Sequence, residues 1–253
     1  MQYTDLIFDL YGTLVDIHTE ENELTWEKTA LYFSYYGVHY TGSALKTDYE
    51  SVIASRESVA GQGYEMYPDI PFHEVLADLF RAKGITAHAD ALGLNAAQVF
   101  RIASTEYLRL YDGVTDALSK LRKHGYRLWL LSNAQRAFTA YELRALTLED
   151  QFDRIYLSSD YHCRKPDQRF FQALLHEQKL DPARCLMIGN DRETDIAGAQ
   201  AAGLATLYMH TNLTPSQQAA ADPSLRLEPS ANRRHYEFEG YDWQHLADAL
   251  CLL

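Results

Sequence analysis

The sequence predicts an α/β fold, a parallel sheet with helices on both faces, with a mostly helical insertion near its start. Three observations predict it. Five short apolar runs each end in polar residues, helical patterns separate the last four, and the stretch 16–111 does not share that rhythm. The first run, Leu6-Ile7-Phe8, leads into Asp9 and is closed by the turn residues Gly12-Thr13. The later runs are 126–131 before Ser132-Asn133, 154–157 before Ser158-Ser159-Asp160, 185–188 before Gly189-Asn190-Asp191, and 204–209 before His210-Thr211. Val114, Leu118 and Leu121 fall at helical spacing, and 137–146, 168–178 and 193–203 also read as helices, the last closed by Gly203. Strands alternating with helices at this spacing form a parallel sheet, which brings every polar strand end to one rim.

Within 16–111 the helical runs 24–36 and 72–83 flank a looser Gly/Pro segment, 61–71, and no strand is expected. Tyr111-Asp112-Gly113 marks the return to the sheet. The expected organisation is therefore a core of 1–15 and 112–253 with a helical cap of 16–111. The tail 211–239 reads as surface loop with one edge strand, followed by a last amphipathic helix after Gly240-Tyr241.

The bulk numbers exclude several classes. With 47% hydrophobic residues in 253, a real core is expected rather than disorder. A net charge of −12 argues against nucleic acid or an anionic membrane as partner, although a local cluster of donors can still hold an anionic small molecule. Three scattered cysteines make no disulfide framework or zinc site. Asp5 and Asp9 stand where a leader would be basic and then apolar, and no apolar stretch is long enough for a membrane span, so a cytoplasmic protein is expected.

Four strand-end motifs in order carry a resemblance. Asp9-Leu10-Tyr11-Gly12-Thr13-Leu14, Ser132-Asn133, Arg164-Lys165-Pro166-Asp167 and Gly189-Asn190-Asp191-Arg192-Glu193-Thr194-Asp195 together resemble the haloacid dehalogenase (HAD) superfamily. The resemblance implies a Rossmann-like core, Asp9 as covalent nucleophile, Ser132 and Lys165 at the substrate anion, and Mg²⁺ on oxygen ligands. The implied catalytic set is Asp9, Tyr11, Ser132 and Lys165. The metal set is Asp9, Tyr11 through its carbonyl, Asp191 and Asp195. Thr13 and Asn133 join the substrate-binding set, with Arg56 and Glu57 from the cap. Taken singly, Ser132 also reads as a helix cap, Lys165 as a surface lysine, and Asp191 and Asp195 as first-turn acids.

One position departs from the pattern. Superfamily phosphatases carry a second Asp, a general acid, where this chain has Tyr11; haloacid dehalogenases tolerate Tyr there. Dehalogenases, however, use an Arg in the first insertion helix. This chain has Trp26-Glu27-Lys28 there and no Arg before Arg56. The sequence therefore points to a Mg²⁺-dependent phosphatase acting on a small, anionic metabolite through an aspartyl-phosphate. A 2-haloacid dehalogenase and a non-catalytic phosphate-binding regulator are the alternatives. Monomer and homodimer both remain open. Tyr32, Phe33, Tyr35 and Tyr36 read as the packed core of the insertion.

Overall fold

The fold was obtained as a computed structural model, which describes residues 2–60, 67–211, 217, 221, 224–228 and 234–253. The elements run β1 (Asp5–Phe8), β2 (Val15–Thr19), α1 (Glu23–Tyr35), α2 (Gly42–Ala60), α3 (Phe72–Ala82), α4 (Ala89–Ser104), β3 (Thr105–Leu110), α5 (Val114–His124), β4 (Arg127–Ser132) and α6 (Arg136–Ala145). They continue with β5 (Arg154–Leu157), α7 (Ser158–Tyr161), α8 (Gln168–Glu177), β6 (Cys185–Gly189), a π-helical turn (Arg192–Ala197), α9 (Gly198–Ala201), β7 (Ala205–His210), β8 (Arg226–Glu228), β9 (His235–Glu239) and a C-terminal helix, Trp243–Leu250.

The main sheet has the order β5-β4-β1-β6-β7-β9-β8. Six strands are parallel, and β8 closes the edge antiparallel to β9. Both faces are covered, which is why the central strands read as unbroken apolar runs. Leu6, Phe8, Leu128, Leu130, Leu186 and Ile188 face a core shared with α5 and the C-terminal helix. Ile7, Trp129, Leu131, Cys185 and Met187 face the opposite core, with Phe170, Phe171 and Leu174 of α8. Among the described residues, no helix is long and apolar enough to cross a membrane.

Helices α1 to α4 gather around a separate cluster that includes Trp26, Phe33, Phe72, Phe80 and Phe100. Phe33 stacks on Phe80 with centroids 3.9 Å apart, as a packed core requires. Tyr35, expected beside it, is 83% exposed, because helical spacing turns it to the opposite face.

Two strand expectations need correction. The stretch 16–111 does contain strands: β2 and β3 pair antiparallel, Val15 opposite Leu110, as a two-stranded ribbon at the ends of the helical segment. The tail holds two strands rather than one. In β9 the buried Tyr236 and Phe238 alternate with half-buried residues, the period-2 signal of a strand covered on one face. The Gly/Pro segment expected over 61–71 lies outside the described residues from 61 to 66.

Candidate active site

The parallel strands bring Asp9, Ser132 and Asn190-Asp191 to one rim, at the ends of β1, β4 and β6. Lys165 reaches them from the loop between α7 and α8. A cavity of about 270 Å³ is lined by Asp9, Tyr11, Ser132, Asn133, Lys165, Asn190, Asp191, Thr194 and Asp195.

Its centre is a buried ammonium. Lys165, only 1% exposed, donates to Asp9 Oδ1 at 2.7 Å and to Asp195 Oδ1 at 2.6 Å. Burial alone would push the Lys165 ammonium down; Asp195 and Asp9 outweigh it and hold it above the ordinary lysine value. Burial pushes the Asp195 carboxyl up to about 6, Lys165 works against that rise, and Asp9 adds to it. The other Asp195 oxygen accepts the Asp191 N–H at 3.0 Å. Gly189 makes the close approach possible, because a Cβ there would lie 2.2 Å from Asp195 Oδ2.

Among the described residues, Asp9 Oδ2 receives only a long contact from the Thr13 hydroxyl, 3.3 Å, and that hydroxyl also lies 3.2 Å from Asn190 Oδ1. Gly12 turns the chain there at φ +79°, with Asn190 packed where a Cβ would sit. Asp191 caps the π-helical turn, its Oδ1 accepting the Glu193 and Thr194 N–H groups at 2.9 and 2.7 Å. Burial pushes its carboxyl up, but those hydrogen bonds and Lys165 hold it below the usual carboxylate value.

Three expected residues take other partners. Asn133, expected on the substrate, clamps the Lys165 backbone instead: its Oδ1 accepts the Lys165 N–H at 2.8 Å and its Nδ2 donates to the Lys165 carbonyl at 3.0 Å. Arg56 is held by Glu74 at 3.2 Å and Asp78 at 2.5 Å, and neither Arg56 nor Glu57 lines the cavity. The Tyr11 hydroxyl bonds Glu142 of α6 and lies 2.9 Å from Thr139 Oγ1. Burial and the Glu142 charge raise its pKa well above the ordinary phenol value, with Arg101 opposing them only in part. Arg101 of α4 in turn grips both Glu142 oxygens, at 2.6 and 3.1 Å, and lies over the Tyr11 ring at 5.3 Å. Sequence reasoning missed Glu142 and Arg101. Each is an ordinary helical residue until the fold brings three distant segments together.

Three carboxylates against one ammonium give the cavity floor two net negative charges, and the donors are all oxygen. That chemistry fits a hard divalent cation. The carboxylates of Asp9, Asp191 and Asp195 do not all come within 4.8 Å of one another; among the described residues, His18, Glu20 and Glu106 do, on the exposed β2–β3 side. The Lys165 ammonium between Asp9 and Asp195 accounts for the spread. Mg²⁺ needs no full protein cage, since it is commonly held by one or two carboxylates with waters and phosphate oxygens. Asp9 and Asp191, which both line the cavity, would be the carboxylates of such a partial set. The Tyr11–Val15 bridge runs through Leu10 C=O and Gly12 N–H, so it consumes neither backbone group of Tyr11.

Known proteins share this arrangement of the chain. The glyceraldehyde 3-phosphate phosphatase of Methanothermobacter thermautotrophicus is 31% identical over 44% of this chain and 49% of its own. The phosphoglycolate phosphatase of Mesorhizobium japonicum is 32% identical over 51% of this chain and 54% of its own. This chain thus spans about half the length of these curated relatives. In fold it is similar to a 2-haloacid dehalogenase from Pseudomonas syringae, with a TM-score of 0.66 and 19% identity over 99% of both chains. Residues 6–203 match the model of the haloacid dehalogenase-like hydrolases, and the chain belongs to that family.

Proposed function

We propose that this hydrolase is a phosphatase of small phosphorylated metabolites, working through a phosphorylated Asp9. The observation that carries the reading is the buried Lys165 ammonium, which fixes one Asp9 oxygen and leaves Oδ2 as the nucleophile. The phosphatase names of the two curated relatives support it. Asp9 Oδ2 forms a bond to phosphorus as the bond to the leaving oxygen breaks; water then cleaves the aspartyl-phosphate and frees Asp9. Lys165 and the Ser132 hydroxyl meet the phosphoryl oxygens, Asn133 keeps Lys165 in place, and the helices of 16–111 form the lid. Mg²⁺ on Asp9, the Tyr11 carbonyl and Asp191, with Asp195 in support, would offset the charge that gathers on the transferring group.

Tyr11 limits the substrate. Its proton is directed at Glu142 and its pKa is raised, so it gives the leaving oxygen no proton. A positioned acid contributes about 10²–10⁴-fold. Aryl and acyl phosphates should therefore exceed simple alkyl phosphates in kcat/KM by about 100-fold or more, with activity lost in EDTA and in Asp9→Asn. Equal rates for alkyl and aryl esters, or full activity after chelation, would refute the reading. The dehalogenase reading takes support from Tyr11, but Arg101, the arginine beside it, is already committed to Glu142. It predicts halide release from 2-chloropropionate in EDTA.

A further inference from the structure

A second cavity, of about 180 Å³, lies among Glu21, Trp26, Tyr49, Phe72, Phe100, Arg101, Ser104, Gln135 and Phe138. Four of its aromatic residues form a closed belt. Trp26 meets Tyr49 at 5.3 Å, Tyr49 meets Phe72 at 5.2 Å, Phe72 meets Phe100 at 4.9 Å, and Phe100 returns to Trp26 at 4.9 Å. The two charged residues in the lining are not equivalent. Arg101 is committed to Glu142 through two hydrogen bonds. Glu21 is exposed and has no hydrogen bond or ion pair among the described residues. The Tyr49 hydroxyl is pushed up to about 12 by burial and then by the surrounding carboxylates of Glu21, Asp69, Glu57 and Glu50. Arg101 lies over the Phe138 ring at 4.6 Å, on the Glu142 side, while the carboxylate of Glu21 is the charge of the lining left without a counter-charge among the described residues.

We propose that this cavity binds an organic ammonium group carried by the leaving group of the substrate. The proposal rests on the phosphatase reading and names its substrate class. Ring faces and an unpaired carboxylate together attract a weakly hydrated cation. At roughly 30 Å³ per water, the space holds about six waters. That is room for a trimethylammonium or a smaller amine. The two cavities share no described lining residue, but Arg101 in the wall of one lies 5.3 Å over the ring of Tyr11 in the wall of the other, so a single pair of side chains stands between this pocket and the site around Asp9.

Two measurements test it. The first is binding without turnover, following tryptophan fluorescence during titration with tetramethylammonium chloride or neutral tert-butanol. Saturable quenching by the cation alone, weakened in the exposed-site variant Glu21→Gln, which leaves the Trp26 reporter in place, is expected. The second compares 4-(trimethylammonio)phenyl phosphate with its neutral isostere, 4-tert-butylphenyl phosphate. Glu21→Gln should lower the cationic-to-neutral ratio of kcat/KM by about tenfold, mainly through KM. No selective cation binding, or an unchanged ratio in Glu21→Gln, overturns the proposal. If the cation binds but no aryl phosphate is hydrolysed, the ammonium site stands and the phosphatase reading falls.

Discussion

Replacing Lys165 with Met keeps the buried stem and removes the charge. The side chain is 1% exposed and its two carboxylate contacts are 2.7 and 2.6 Å. At an effective dielectric of about 20, each contact carries roughly 6 kcal/mol of attraction, before the several kcal/mol needed to take the ammonium out of water. Breaking one side of a buried pair destabilises by about 3–5 kcal/mol. Here two carboxylates are stranded, so about 4–5 kcal/mol is expected at pH 7.5, measured by urea unfolding. Protonation relieves stranded carboxylates, and Asp195 already titrates at about 6 with the lysine present. The deficit should therefore shrink at pH 5. Lys165→Met/Asp195→Asn should be more stable than Lys165→Met by about 1–2 kcal/mol, since one stranded charge is gone while an oxygen remains for the Asp191 N–H. A loss below about 1 kcal/mol at pH 7.5, or a deficit unchanged at pH 5, refutes the reasoning.

Two further outcomes follow from the geometry around this centre. Gly189→Ala places a Cβ 2.2 Å from Asp195 Oδ2, where the backbone and a buried ion pair leave little room to yield; a loss of about 2–3 kcal/mol in urea unfolding is expected, with a fall in activity. Asp167 caps α8 and pairs with Arg169 at 2.7 Å. Burial pushes its carboxyl up, but Arg169 wins and holds it below the usual carboxylate value. A depressed folded-state pKa contributes stability above about pH 4 that is lost as pH falls through that pKa. Thermal melts from pH 7 down to pH 3 should show wild type losing more stability than Asp167→Asn; parallel curves would remove Asp167 from acid stability.

The legible part of this chain was the part whose signal is local. Leu6-Ile7-Phe8 and the later apolar runs announced the central strands because both sheet faces are covered, so each position is apolar for the same reason. Asp9, Ser132 and Asp191 were legible because a strand end followed by a turn is a local pattern; Lys165 follows α7 rather than a strand and was legible only through the Arg164-Lys165-Pro166-Asp167 motif. The β2–β3 ribbon was not. Its strands are separated by four helices, and beyond Val15 every residue of both is exposed or only half-buried, so no apolar run marks either strand and the short alternation of Val15-Asp16-Ile17-His18 has no partner nearby in the chain. The division of labour inside the site was hidden for a different reason. Asn133 looks like a substrate ligand in sequence, yet its amide matches the backbone of Lys165, 32 residues away, a pairing set only by the fold.

Position 11 shows how such hidden partners bear on function. A tyrosine two residues after Asp9 is ambiguous in sequence, because a phenol can donate a proton, contact a substrate or fill space. Its surroundings remove the first option. Glu142 is buried, and a buried carboxylate needs a counter-charge, which Arg101 supplies through two hydrogen bonds. The same carboxylate then takes the Tyr11 proton as a hydrogen bond, and the phenol is held in its neutral form. Arg101 comes from the helical segment, Glu142 from the sheet domain's own α6, and Tyr11 from the loop that carries Asp9. One buried carboxylate therefore both silences position 11 as an acid and ties α4 to the loop that carries Asp9. On the proposed phosphatase reading, a preference for reactive leaving groups and a fixed α4 both follow from this pairing, and Glu142→Gln should disturb both together.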